Sequence, residues 1–405
     1  MKFTVIGITD AVCPFFPPEV MEVIHYGDVF SGGKRHHEIV SPLLPEGAKW
    51  IDITVPLDAV FEQYRHHGAD VVVFASGDPL FFGFANTIRR KMPGSEIVLY
   101  PSFNSLQMLA HRLVMPYHDM RVVSLTGRPW PLFDQALIER AAKIGVLTDH
   151  EHTPSAIARR MLDYGYDYYR MHVGAHLGNP VREQIVTMSL GEASQTDFDH
   201  PNCLILSAEK PLPARPFGIP DHLFDLLDGR EKMITKMPVR LLTLQALDLP
   251  EKHIFWDIGF CTGSISIEAR MQFPHLHVVA FEIRPECEQL MRQNSRRFGA
   301  PGIEVHMGNF LETDIDALPR PDAVFIGGHG GRLKEIMAKA YKMLQSGGCI
   351  VTNSVSSPVV KQLTDRPDSM DLFREACSEL GLTQENTTHI QLNDFNPINI
   401  LKCRK

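Results

Sequence analysis

Short apolar runs alternate with amphipathic stretches along the whole chain, and their spacing predicts strands alternating with helices. In the first half, residues 2–8 form a β-branched run that ends in a loop, and residues 70–75 form an uninterrupted apolar strand. Further short strands are predicted over 96–100, 121–125 and 145–148, with helices over 19–25 and 106–113. In the second half, strands fall at 254–258, 277–283, 303–307, 322–326 and 348–353. Helices at 238–247, 264–271, 285–298 and 332–344 separate them, a shorter helical stretch precedes them at 223–228, and strands at 389–392 and 398–403 close the sheet. Strands without polar alternation are buried on both faces, so the fold class is α/β with mostly parallel sheets. The second half reads as a doubly wound sheet of seven strands.

Length divides this pattern in two. A chain of 405 residues exceeds what one core usually supports. The stretch 209–221 carries Pro211, Pro213, Pro216 and Pro220, which makes a stiff, extended linker. Domains are therefore expected at 1–208 and 222–405. The formal net charge of −8 argues against a nucleic-acid partner, which needs a clustered basic surface. The longest apolar runs, such as 71–75, are too short to span a bilayer, and the first ten residues lack the apolar core of a leader; no membrane partner and a cytoplasmic location are expected. The seven cysteines are scattered without C-x-x-C spacing, and neighbouring histidines such as His66 and His67 point apart when extended, so no metal is expected.

Candidate chemistry concentrates at strand ends. The stretch F-W-D-I-G-F-C-T-G at 255–263 is a buried strand, a glycine turn and a helix start, and Glu282 closes the next apolar run 25 positions after Asp257. A carboxylate there can accept from both hydroxyls of a ribose, while Gly259 and Gly263 let backbone approach the rest of an adenosine-containing cofactor. The full G-x-G-x-x-G of a dinucleotide dehydrogenase is absent, because Phe260 and Cys261 intervene. In the first half, S-G-D-P-L-F-F-G at 76–83 follows a buried strand: either a ligand loop or a plain turn capped by Asp78.

The first-half strings S-G-D-P-L-F-F-G, P-S-F-N-S-L-Q at 101–107, V-S-L-T-G-R-P at 123–129 and L-T-D-H-E-H-T-P-S-A-I-A at 147–158 together resemble the tetrapyrrole methylase family, most nearly its branch acting at C5 of the precorrin ring. The resemblance implies that the loop of Gly77, Asp78 and Pro79, with Asn104, Ser105 and Thr126, contacts S-adenosylmethionine. It also implies that Arg35 and His37, in the glycine-glycine-x-arginine-histidine region at 30–37, face the substrate. One departure is that Gly7 is followed by Ile8, Thr9, Asp10 and Ala11, where the family usually has a second glycine.

The second-half strings M-I-T-K-x-x-V-R at 233–240, W-D-I-G-x-x-T-G-S-I-S-I-E-A at 256–269, D-A-V-F-I-G-G-x-G-G at 322–331 and F-N-P-I-N-I at 395–400 resemble the precorrin C15 methyltransferases that also decarboxylate, a Rossmann-like class I methyltransferase fold. That resemblance implies S-adenosylmethionine contacts at Thr235, Asp257, Gly259, Thr262, Gly263, Glu282 and Asn309, and room for a flat tetrapyrrole at Gly327 and Gly328. Together the two halves imply methylation of a precorrin at C5 and C15 with loss of a carboxyl group, by a homo-oligomer. A methyltransferase acting on RNA or another small molecule, or a cofactor-binding regulator without turnover, are the alternatives.

Overall fold

A computed structural model describes residues 1–355, 369–393 and 396–405 of the chain. Phe395, first residue of the F-N-P-I-N-I string, lies outside them. The described residues divide into two compact units: Met1–Arg128, Ala141–Arg160 and Asp167–Pro211 in one, Pro129–Arg140, Met161–Tyr166 and Leu212–Lys405 in the other. The grouping departs from a single cut near residue 208, since two short stretches of the first half group with the second.

The first unit opens with β1 (Lys2–Ile8), β2 (Val29–Gly32), β3 (Lys49–Asp52), β4 (Val71–Ser76) and β5 (Glu96–Tyr100). They pair in the order β3-β2-β4-β1-β5, all parallel. Every residue of β1 after Lys2 and all of β4 up to Ala75 are buried, as their unbroken apolar runs require. A second sheet follows, from β6 (Arg121–Ser124), β7 (Lys143–Leu147), β8 (Tyr169–Ala175), β9 (Gln184–Ser189) and β10 (Asn202–Ala208), in the order β6-β7-β10-β8-β9. Only β6 and β7 run parallel there; β10 pairs antiparallel with β7 and β8, and β9 with β8.

The second unit is built on β11 (Ile254–Ile258), β12 (His277–Glu282), β13 (Ile303–Met307), β14 (Ala323–Ile326), β15 (Cys349–Val355), β16 (Thr383–Gln384), β17 (Thr388–Ile390) and β18 (Ile398–Arg404). The order is β13-β12-β11-β14-β15-β18-β16, with β17 also on β18. The strands β11 to β15 are mutually parallel and β18 runs against β15. This corrects the seven strands expected to eight, because the stretch before β18 pairs with it twice, through Thr383–Gln384 and again through Thr388–Ile390. Strand order reverses between β11 and β14, so the crevice beyond their carboxyl ends is where an open α/β sheet binds its ligand.

Two stretches before β11 differ from their sequence reading. Residues 223–228 are not a helix but part of short 3-10 turns around an Asp228 at φ 49°. The proline-rich stretch is tied down at both ends: Glu209 accepts the Arg170 Nε at 2.6 Å, and the Pro216 carbonyl accepts the Gln272 Nε2. Glu268, fully buried on the helix Ser264–Gln272, accepts the N–H groups of Gly218 and Ile219 at 2.9 Å each and the Arg240 Nε at 3.1 Å. Arg240 is itself fully buried and donates to the carbonyls of Thr235 and Ile219 and to Asp221. A buried ion pair needs its remaining groups satisfied, and here backbone from 218 to 235 satisfies them, so that backbone is part of the second core. Among the described residues no helix is long and apolar enough to cross a membrane.

Candidate active sites

In the first unit, the ends of β1, β4 and β5 converge through glycine. A side chain at Gly7 would overlap the Gly77 carbonyl, and one at Gly77, whose φ is +60°, would meet the Asn104 Cα at 2.8 Å. The resulting cleft, about 490 Å³, is lined by residues that include Gly77, Asn104, Ser105, Thr126, Arg35, His36, Ser76 and Asp10. Phe82 also lines it, held at φ 54° under the Arg128 guanidinium, 5.3 Å from its ring. Such backbone strain in a bulky residue persists only where surroundings over-determine it.

The predicted residues divide by what their side chains do. Asp78 caps its own turn, accepting the Leu80 N–H at 2.8 Å, and neither it nor Pro79 lines the cleft. Asn104 caps the helix Ser105–Arg112 by accepting the Gln107 N–H at 2.9 Å, and the Thr126 hydroxyl donates to the Thr148 carbonyl at 3.0 Å. These two reach the cleft while already bonded within the protein. His37 does not reach it: its ring stacks on Trp50 at 4.1 Å, and His36 takes the place expected of it. The segment Lys34–Val40 is a helix, so successive side chains turn by about 100°, and here that turn brings Arg35 and His36 to the cleft and carries His37 away to Trp50. The glycine-glycine-x-arginine-histidine spacing from Gly32 does end on His36, a signal present in the sequence.

In the second unit, β11 carries Asp257, and the turn after it holds Gly259, Thr262 and Gly263. Asp257 is 0% exposed and accepts the Ser266 hydroxyl at 2.5 Å on Oδ2. Burial pushes its carboxyl up to about 7, against the Ser266 hydrogen bonds and with a smaller push from the charge on Glu282. Its Oδ1 and the Thr262 Oγ1 are buried without a partner among the described residues. Buried polar atoms are nearly always bonded, so this pair fits a ligand carrying a donor. Gly259 has φ +81°, and a side chain there would meet the Gly328 nitrogen at 2.5 Å. The turn after β11 and the glycine loop after β14 thus touch backbone to backbone; Gly328 faces Gly259. A side chain at Gly263 would run into Met291.

Glu282, 3% exposed at the end of β12, is fully engaged. Its Oε1 accepts the Ile283 N–H at 2.9 Å, the Arg284 N–H at 3.1 Å and the Arg284 Nε at 3.0 Å. Its Oε2 accepts the Cys261 N–H at 2.9 Å and the Arg284 Nη2 at 3.0 Å. Burial alone would raise this carboxyl, but the Arg284 side chain, the Arg284 N–H and the Cys261 N–H outweigh it and hold it below the ordinary carboxylate value. The Arg284 side chain thus covers both oxygens of the carboxylate expected to meet a ribose. Asn309 is bonded locally, donating to Glu312 at 2.7 Å and accepting the Leu311 N–H at 3.1 Å. Thr235 precedes the helix Met237–Ala246, where its carbonyl accepts from Arg240 at 2.9 Å.

Comparison with known proteins covers both units. Residues 16–194 match the family model of tetrapyrrole (corrin/porphyrin) methylases, and residues 227–371 that of the precorrin methyltransferase domain. A precorrin-6Y C(5,15)-methyltransferase (decarboxylating) of a Sinorhizobium species is 33% identical over 365 residues, 89% of this chain and 86% of that protein. A cobalt-precorrin-6B C(15)-methyltransferase (decarboxylating) of Salmonella typhimurium is 32% identical over 188 residues, 46% of this chain and 95% of its own length. The crystal structure of a precorrin-6Y C5,15-methyltransferase from Geobacter metallireducens is 31% identical, covering 47% of this chain and 97% of its own, with a TM-score of 0.38.

Proposed function

Because the chain belongs to the decarboxylating precorrin-6Y C(5,15)-methyltransferase family, we propose that it methylates a precorrin-6Y-type ring at C5 and C15 and removes one carboxyl group, in corrin biosynthesis. The observation that carries this is the 33% identity that runs over 89% of the chain, through both units at once. S-adenosylmethionine is the cofactor at each site; when bound, its sulfonium supplies the methyl group. The partnerless Asp257 Oδ1 and Thr262 Oγ1 support this assignment, since they suit the ammonium of the cofactor's methionine portion.

At each methylation a ring carbon uses its electron pair to bond the methyl carbon, the carbon–sulfur bond breaks, and the ring carbon's hydrogen leaves as a proton. In the decarboxylation the bond to the carboxyl carbon breaks, its pair spreads into the conjugated ring, and a proton fills the carbon left behind. A nucleophile already activated by conjugation needs no serine or cysteine, and the protein's part is alignment and exclusion of water. Gly77, Asn104, Ser105 and Thr126 hold the first cofactor in this reading, with Arg35 and His36 toward the ring. Asp257, Gly259, Thr262, Gly263 and, once Arg284 has moved, Glu282 hold the second.

Incubation of the full chain with S-adenosylmethionine and precorrin-6Y tests the reading by mass spectrometry. The expected product gains two methyl groups and loses carbon dioxide. An unchanged tetrapyrrole, from protein that binds S-adenosylhomocysteine, would sink it.

A further inference from the structure

From Arg35 on the wall of the first unit's cleft runs a chain of polar side chains, Asp10, His176 and Arg182, that none of the expected roles absorbs. Asp10, 9% exposed, accepts the Arg35 Nη1 on one oxygen at 2.9 Å and meets the His176 Nδ1 with the other at 3.2 Å. His176 is buried at the end of β8 with φ 49°, and its Nε2 lies 2.8 Å from the Arg182 Nη2. Arginine has no acceptor, so Nε2 accepts and Nδ1 carries the proton that is given to Asp10. Both oxygens of a buried carboxylate are thereby fixed from two sheets.

The same counting applies on the cleft side. The Ser76 Oγ accepts the Arg35 Nη2 at 2.9 Å and lies 3.0 Å from the His36 Nε2. The Gly33 N–H donates to the His36 Nδ1, so Nε2 is the protonated nitrogen of that ring and cannot accept. Burial and the charge of Arg35, outweighing the Phe74 carbonyl and Asp10, bring His36 down to about 4, so the ring is neutral at physiological pH. Neither neighbour can take the Ser76 proton. Arginine carries five N–H donors, of which Arg35 uses one on Asp10 and one on Ser76 among the described residues. The Arg35 side chain is 37% exposed, and Arg35 and Ser76 both line the cleft. That edge of the cleft therefore presents the remaining Arg35 N–H donors and the Ser76 hydroxyl, beside the Asp10 carboxylate that pairs with Arg35 and sets its orientation.

We infer that Arg35 and Ser76 form a carboxylate-binding fork whose geometry is set by Asp10, a positioning residue held in turn by His176 and Arg182. Asp10 lies in the first loop, where Gly7 is followed by Ile8, Thr9, Asp10 and Ala11 without the resembling family's usual second glycine, so the fork's support is a property of this chain's first loop. The choice of ligand rests on the methyltransferase reading, which offers two carboxylates: a side chain of the tetrapyrrole, or the α-carboxylate of the cofactor. The chemistry at the fork is the same for both.

Three variants of the full chain, S76A, R35K and D10N, separate these. R35K keeps the charge but loses the fork, and S76A, on an exposed residue, leaves the fold intact. Each is assayed for kcat and KM with precorrin-6Y at C5, and by calorimetry with S-adenosylhomocysteine and with 5′-methylthioadenosine, which lacks the amino-acid end. A tetrapyrrole carboxylate at the fork raises KM on the order of 10- to 100-fold with kcat retained, and S-adenosylhomocysteine binding stays unchanged. A cofactor carboxylate instead weakens S-adenosylhomocysteine by that factor at one of its sites, while 5′-methylthioadenosine binds all variants alike. If S76A and R35K match the wild type in every quantity, the fork is wrong. If they fall and D10N does not, Asp10 does not position it. Wild-type protein without turnover counts against the functional reading rather than the fork; calorimetric titration of precorrin-6Y into the variants then replaces KM, and unchanged affinity for both precorrin-6Y and S-adenosylhomocysteine overturns the fork.

Discussion

Replacing Asp257 with asparagine should stabilise the second unit, and should do so more at alkaline than at acid pH. The carboxyl is fully buried and has its proton affinity raised from the ordinary 3.8 to about 7. Between those values the native state keeps a proton that the unfolded chain releases, so stability from this group is complete below about pH 4 and is lost as pH rises through 7. At about 1.4 kcal/mol per pKa unit, the ionised carboxylate costs on the order of 4 kcal/mol above pH 7 and roughly 1.5 kcal/mol at pH 5. Asparagine keeps an oxygen for the Ser266 hydroxyl, which bonds Asp257 at 2.5 Å, and carries no charge to bury. The gain should therefore grow by about 2–3 kcal/mol between pH 5 and pH 8, or roughly 5–10 °C in Tm. Scanning calorimetry of both proteins across that range, without cofactor, measures it. A gain that is flat with pH, or a loss at every pH, would show that the carboxyl is not the strained group described here. The same variant should bind S-adenosylhomocysteine more weakly, since the charge that burdens the fold is the one offered to the ligand.

Arg284→Ala should tighten S-adenosylhomocysteine at the second site by roughly fivefold, because about 1 kcal/mol of ion pair, partly exposed on its arginine side, no longer has to be broken; weaker binding by calorimetry would mean that Arg284 assists the ligand. Gly259→Ala should abolish methylation at C15 while leaving C5 methylation, as its side chain would meet Gly328 backbone at a φ of +81°; retained C15 activity in the mass assay would refute the contact. Glu268→Ala should destabilise the second unit by about 3–5 kcal/mol by stranding the buried Arg240 charge and two backbone N–H groups, read as a fall in denaturation midpoint. Only a small fall would mean that the stretch 218–235 is not anchored there.

What the sequence reveals follows from how local each signal is. The strand–glycine–helix run at 255–263 and the apolar run of β4 announce themselves because burial on both faces removes the polar alternation, leaving Asp257 as the one polar residue of β11 and Ser76 at the end of β4. The strands β2 and β9 have no such clarity: β2 is four residues ending in Gly32, and β9 mixes polar and apolar positions with none of them buried. The site shows the same limit. Gly77, Asn104 and Thr126 are found by motif, yet which of His36 and His37 faces the cleft depends on a helix that the glycines before it obscure. Asp10 and His176 meet across 166 positions, and nothing near either one names its partner. Nor does the position of Glu282 reveal that Arg284, two residues on, occupies it.

The contact between Gly259 and Gly328 has a mechanical meaning. With no side chain at Gly259 or Gly328 to yield, the two backbones sit like meshed gear teeth, so a displacement of one should press on the other. Occupancy of the pocket after β11 should thus be legible in a loop that the occupant does not touch: amide deuterium uptake at Gly327 and Gly328 should slow when S-adenosylhomocysteine binds, and unchanged uptake would mean the teeth do not engage.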